Sequence, residues 1–161
     1  MHSKQKGNIG VAATVLALQK HGLSVFSELG DYSRLDLIAE CNGSLKSIQV
    51  KYAKNDKGKI NLPLRKSGPN GYRYTYKVSD IDWFAIYDPK TENVYWVKSD
   101  EALSHRNGFT LRTDKPKNNQ SKNINLAENY TIDRFLRDYT RNTCDGEEIV
   151  QTTTSNDGSR E

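Results

Sequence analysis

The dipeptide Asn42-Gly43 constrains this chain more than any other feature. It lies between two runs of strand-forming residues, 34–41 and 44–52. A two-residue hairpin of type I′ needs φ > 0 at both central positions, which Asn and Gly tolerate best. With Asn42 and Gly43 as the turn, Cys41 pairs with Ser44, and the ladder continues through Glu40–Leu45, Ala39–Lys46, Ile38–Ser47 and Leu37–Ile48 to Asp36–Gln49. Residues directly opposite have Cβ atoms about 4.5–5.5 Å apart on one face. Lys51, two positions beyond Gln49, shares that face. Leu35, Leu37, Ile48 and Val50 are expected on the other face, as core.

An acid, an amide and an ammonium at one end of an apolar hairpin suit phosphoryl chemistry. Asp36 offers a carboxylate oxygen, Gln49 an amide oxygen and Val50 the carbonyl between them. Three such hard oxygens suit Mg²⁺, which fills its remaining positions with water and substrate phosphate. The ion can acidify a bound water and polarise a phosphate, and Lys51 can stabilise developing charge. The same spacing equally suits a structural Asp36–Lys51 ion pair beside a solvated Gln49.

Around this hairpin the pattern reads as α/β. Residues 8–21 carry two apolar stripes at helical spacing, so a helix buried on more than one side is expected, with Gly22 past its end. Residues 23–29 read as a strand and 30–33 as a turn. Residues 81–87 and 94–98 read as two strands joined through Asp88-Pro89-Lys90. A short helix over 100–105 and a strand over 109–112 follow. A helix over 131–141 carries Ile132, Phe135, Leu136 and Tyr139 on one stripe, which suits core packing or an interface. No internal repeat occurs. A single domain over 1–143 is expected, followed by a polar, disordered tail over 144–161.

Charge is unevenly placed. Between Lys51 and Lys77 eight basic residues stand against Asp56 alone, a net of +7 in a chain whose total is +4. With Gly58, Pro63, Gly68, Pro69 and Gly71, the segment 52–78 reads as an exposed hairpin or long loop inserted after the lysine strand. A basic ribbon of this kind suits a DNA phosphate backbone and the major groove. Lys54, Lys57 and Lys59 are the candidate phosphate contacts; Arg65, Lys66 and Arg73 are candidates for base edges, and Lys77 adds charge. A second polar, basic loop over 115–122 offers Asn118, Asn119, Gln120 and Lys122. The bland alternative is a solvated loop rich in lysine.

Hydrophobic residues make up only 35% of the chain, so the core is lean. No apolar run approaches the ~20 residues of a membrane span, so no membrane partner is expected. The basic residues 1–6 lead into a helix of a folded domain rather than a signal peptide, which implies a cytoplasmic protein. The two cysteines, Cys41 and Cys144, have no metal-ligand spacing and read as reduced thiols.

The segments Lys4-Gln5-Lys6-Gly7-Asn8-Ile9-Gly10, Arg34-Leu35-Asp36-Leu37-Ile38 and Ile48-Gln49-Val50-Lys51-Tyr52 together resemble the PD-(D/E)XK nuclease superfamily. Within it they are most similar to the homing endonucleases encoded in group I introns of cyanobacteria. The resemblance spans about residues 4–98. It implies an α/β, restriction-endonuclease-like fold: a mixed β-sheet flanked by helices, with the basic hairpin as a DNA-binding insertion. It further implies Mg²⁺-dependent, sequence-specific hydrolysis of double-stranded DNA. Asp36 would be the metal carboxylate, Gln49 would replace the usual acid, and Lys51 would be the catalytic lysine. The family commonly places a Glu on the first helix where this chain has Val11, so Asp36 is left as the anionic ligand unless another acid such as Glu28 serves. That departure leaves an inactivated DNA-binding variant open, beside a junction resolvase of the same chemistry. Cutting two strands with one site per chain implies a homodimer or homotetramer.

Overall fold

The computed structural model describes residues 1–27, 34–67, 73–105, 108–114 and 124–143. The Asn42-Gly43 turn organises its centre. Both residues take positive φ, 50° and 78°, and β2 (Leu37–Cys41) pairs antiparallel with β3 (Ser44–Tyr52) in the register the turn demands, Cys41↔Ser44 through Leu37↔Ile48. The regular ladder ends at Leu37↔Ile48, and the Asp36 N–H donates to the Ile48 carbonyl at 2.9 Å, one position off that register.

β1 (Ser24–Ser27) adds to the outer edge of β2. On the other side β3 lies parallel to β8 (Trp83–Asp88), and β9 (Asn93–Lys98) closes the sheet antiparallel to β8. The order β1-β2-β3-β8-β9 makes a mixed five-stranded sheet. Parallel neighbours cannot be joined by a tight turn and need a crossover. Here residues 53–82 supply it, and they include the basic segment.

That crossover is not a single pendant hairpin or loop, as its composition suggests. It forms β4 (Asn55–Asp56), β5 (Lys59–Leu62), β6 (Arg65–Ser67) and β7 (Arg73–Thr75). β4 and β5 join β10 (Phe109–Arg112) and β11 (Asn125–Leu126) in a second sheet, ordered β11-β10-β5-β4. The β4–β5 turn again uses two positive-φ residues, Lys57 and Gly58. Along β5 exposure alternates: Lys59 and Asn61 face outward while Ile60 and Leu62 are buried. Strand alternation has thus concealed half a core inside a stretch that reads as basic loop.

Two apolar layers result. On one face of the central sheet, Ile60, Leu62, Phe109 and Leu111 pack on Phe84, Ile86 and Val97. A short helix, α2 (Ser99–Leu103), follows β9; on the other face, α1 (Ser3–Gln19) and α3 (Ile132–Thr143) cover Leu37, Ile48, Val50, Trp83 and Trp96. Leu35 departs from its expected side and packs with the second-sheet cluster, because it precedes β2 and is outside the strand alternation. The α3 stripe is core: Phe135 lies 5.3 Å from Trp83 and 4.5 Å from Trp96, and the Tyr139 hydroxyl donates to the Ala39 carbonyl at 3.0 Å.

The first helix departs from expectation twice. It begins five residues earlier, because its first turn is exposed and carries no apolar signal. It also buries one stripe rather than two, Gly10-Thr14-Leu18 with Val11 and Val15 at its flank, and leaves Leu16 55% exposed. Gly10 lets the helix approach the sheet closely: a Cβ there would stand 3.3 Å from a Val50 methyl carbon. Gly22 ends the helix with φ 77°. No helix among the described residues is long and apolar enough to cross a membrane.

Candidate active site

The hairpin register sets Asp36 against Gln49, and the structure joins them. Gln49 Nε2 donates to Asp36 Oδ2, and also to the Val50 carbonyl at 3.3 Å. The Val50 N–H donates to the same Asp36 oxygen at 2.7 Å. The carboxylate is thereby held on β3 by a backbone and a side-chain donor, and such charge-assisted bonds are stronger than neutral ones. Gln49 is 4% exposed, so its amide must find partners inside the protein.

Lys51 sits on the same face, as strand alternation requires, and it meets Tyr76. Its Nζ donates to the Tyr76 hydroxyl at 2.8 Å and lies 4.9 Å from the centre of that ring. The Tyr76 hydroxyl in turn donates to Gln49 Oε1 at 3.2 Å. Asp36, Gln49, Tyr76 and Lys51 thus form one linked chain of donors and acceptors, running from ammonium to carboxylate.

Tyr76 was not signalled as a site residue by the sequence. It follows β7, and its N–H donates to the Leu64 carbonyl at 3.4 Å, which extends the β6–β7 pairing by one position. Tyr72, Tyr74 and Tyr76 alternate with Arg73, Thr75 and Lys77. That pattern marks a strand with one aromatic face, yet nothing local shows which part of the molecule it meets. A second device ties this segment to Asp36. Arg34, two residues before Asp36, donates to Asp80 at 2.6 Å, and the Lys77 N–H donates to the same Asp80 oxygen at 3.0 Å. The Lys77 bond first, and the Arg34 guanidinium after it, hold the Asp80 carboxyl below its ordinary pKa, against an opposing effect of burial.

Val11 lies elsewhere. It is half-buried against the cluster on the helix face of the sheet that includes Leu37, Ile48 and Val50, whereas the quartet occupies the face shared with Phe84 and Ile86. Among the described residues no group of three or more His, Cys, Asp or Glu is gathered as for a metal. Glu28, Asn119 and Lys122 lie outside the described residues.

The proposed DNA contacts are placed in part. Lys54, Lys57, Lys59, Arg65 and Lys77 are exposed. Lys66 and Arg73 lie in β6 and β7, which are paired, while their side chains lie outside the described residues. A half-open cavity of about 750 Å³ opens between β5–β10 and the β6–β7 hairpin, lined by Asn61, Arg65, Thr75, His105 and Thr110 among others.

An acid beside the start of β2 and a lysine on β3, with a basic crossover next to them, suit the cleavage of a phosphodiester. The chain belongs to the PD-(D/E)XK endonuclease family, which it matches over residues 1–133. Its fold is similar to that of a bacterial homing endonuclease, I-Ssp6803I, with a TM-score of 0.73 and 22% identity, covering 91% of this chain and 99% of that one. No curated protein matches it significantly.

Proposed function

We propose that the chain is a divalent-cation-dependent DNA endonuclease of the homing type, cutting a specific duplex site with Mg²⁺ as its cofactor. The observation that carries this reading is convergence: the Asp36 carboxylate and the Val50 carbonyl both face one small donor, the Gln49 amide nitrogen, beside the Lys51 ammonium. Two oxygens that share one donor suit a compact hard cation, with the Gln49 amide as a neutral third ligand. Bound there, Mg²⁺ would polarise the scissile phosphate and lower the pKa of a water.

The chain's own residues do the rest. Asp36 supplies the negative charge and is held in place by the Val50 N–H. Lys51 presents a positive charge to the five-coordinate phosphorus of the transition state, where electrostatic stabilisation contributes most. Lys54, Lys57, Lys59 and Lys77 neutralise backbone phosphates and set register, while Arg65, Lys66 and Arg73 read base edges in the major groove. Two copies of the chain would be needed to cut both strands in concert, as in a homodimer or homotetramer.

One observation favours a second reading. A single carboxylate in the quartet, with Val11 packed on the opposite face, suits a weak cation site or a DNA-binding protein that does not cut. Incubating supercoiled plasmid carrying candidate sites with Mg²⁺ and with chelator separates the two. Nicking that needs the cation, and that Lys51→Ala abolishes while DNA affinity stays within about twofold, supports the enzyme. Binding without nicking at any cation concentration rejects it.

A further inference from the structure

Tyr76 is 3% exposed, and its ring alone would justify its burial: it packs edge-on against Phe84 with centroids 5.5 Å apart. The hydroxyl needs a separate account. A buried phenol must find hydrogen-bond partners, and a phenylalanine would fill the same volume without that demand. Its partners include two residues of the quartet: it donates to Gln49 Oε1 and accepts from Lys51 Nζ.

The consequence lies in the orientation of the amide. Because the hydroxyl draws Oε1 toward itself, Gln49 presents Nε2 to Asp36 and to the Val50 carbonyl. A cation and Nε2 compete for those two oxygens, so the Tyr76–Gln49 bond opposes cation binding. The Tyr76 hydroxyl oxygen also anchors the ammonium of Lys51, which ends a side chain with four rotatable bonds. One hydroxyl therefore acts on the metal ligands and on the lysine together.

We propose that Tyr76 is a positioning residue that restrains cation binding through the Gln49 amide and holds Lys51 for phosphodiester cleavage. This rests on the reading of the quartet as a nuclease site. Its signature is two effects of opposite sign. Tyr76→Phe removes only the hydroxyl and keeps both ring contacts. It frees the Gln49 amide, so Ca²⁺, used as a probe of the oxygen ligands, should bind about threefold to tenfold more tightly, the range of one net hydrogen bond. It also loosens Lys51, so single-turnover cleavage at saturating Mg²⁺ and DNA should slow at least about tenfold, with DNA affinity unchanged.

Calorimetric titration of the cation-free protein with Ca²⁺, together with single-turnover cleavage, tests both arms on the full chain. Tighter Ca²⁺ with slower cleavage supports the assignment. Loss of both together, or of neither, overturns it. So does a fall in urea midpoint larger than one buried hydrogen bond explains, which would make Tyr76 a packing residue. Wild-type protein that never cuts DNA overturns the nuclease reading and this inference with it, whereas wild type that cuts no faster than Tyr76→Phe overturns this inference alone.

Discussion

Gln49→Glu is the sharpest test of the site's geometry, because it makes the residue opposite Asp36 a second acid. Gln49 is 4% exposed and its amide nitrogen touches Asp36 Oδ2. Two carboxylates there would lie within about 4 Å. At an effective dielectric of about 20 their repulsion is about 4 kcal/mol. The alternative is to protonate one of them, which at pH 7 costs about 3.7 kcal/mol for an acid of ordinary pKa about 4.3. The smaller sets the penalty, so we expect a loss of roughly 3–4 kcal/mol at pH 7. At an m-value of about 2 kcal/mol per molar this lowers the urea midpoint by nearly 2 M. The sign of the pH dependence follows. The new acid has a raised pKa in the folded state, so the folded protein binds a proton that the unfolded chain has released, and the penalty shrinks as pH falls. At pH 5 it should be about 1 kcal/mol by the same arithmetic. A divalent cation at about 100 times its Kd should return about 2.7 kcal/mol at pH 7, because it binds only the folded form. Urea unfolding followed by circular dichroism, at pH 5 and 7, with and without Mg²⁺, measures all of this. An equal loss at both pH values, or no loss at all, would show that the two side chains do not face each other and would refute the reasoning.

Two further outcomes can be checked. Each of Lys54, Lys57 and Lys59 changed to alanine should lower the slope of log K against log salt for DNA binding by about one unit if it contacts a phosphate, as measured by fluorescence anisotropy; an unchanged slope removes that residue from the interface. Asp80→Asn should destabilise the protein at neutral pH and match wild type in acid, because Asp80 has a lowered pKa whose contribution is complete above the ordinary value of 3.8 and is lost as pH falls through the folded one; urea midpoints that differ by the same amount at pH 7 and pH 2.5 would separate Asp80 from the Arg34 clamp.

The legible parts of this protein share one property: they depend on residues close together in the chain. The Asn42-Gly43 turn and the pairing that follows from it, as far as Leu37↔Ile48, need only the φ preferences of two residues and the period of a strand, and counting one position further sets Asp36 against Gln49, whose side chains meet. The α3 stripe is legible for the same reason, with Phe135 and Tyr139 one helical turn apart. The first helix departs from expectation where that logic lapses: Ile9, Ala12, Ala13 and Leu16 satisfy a helical period as well as Val11, Val15 and Leu18 do, and which stripe is buried depends on how closely Gly10 lets the helix approach Val50. The 53–77 segment reads as a loop because its basic residues and its glycines and prolines dominate the pattern and mask the alternation that buries Ile60 and Leu62.

From the amino-acid order alone come the hairpin, its register and the face shared by an acid, an amide and an ammonium, since a tight turn leaves the backbone no other pairing that keeps its apolar residues on one side. The parallel pairing of β3 with β8 could not be read there, because it joins strands separated by a 30-residue crossover whose course is set by what it covers. That crossover brings Tyr76 back across 25 residues to Lys51 and 27 to Gln49. Contacts of that range follow from how the two sheets pack, and only the packed molecule decides them.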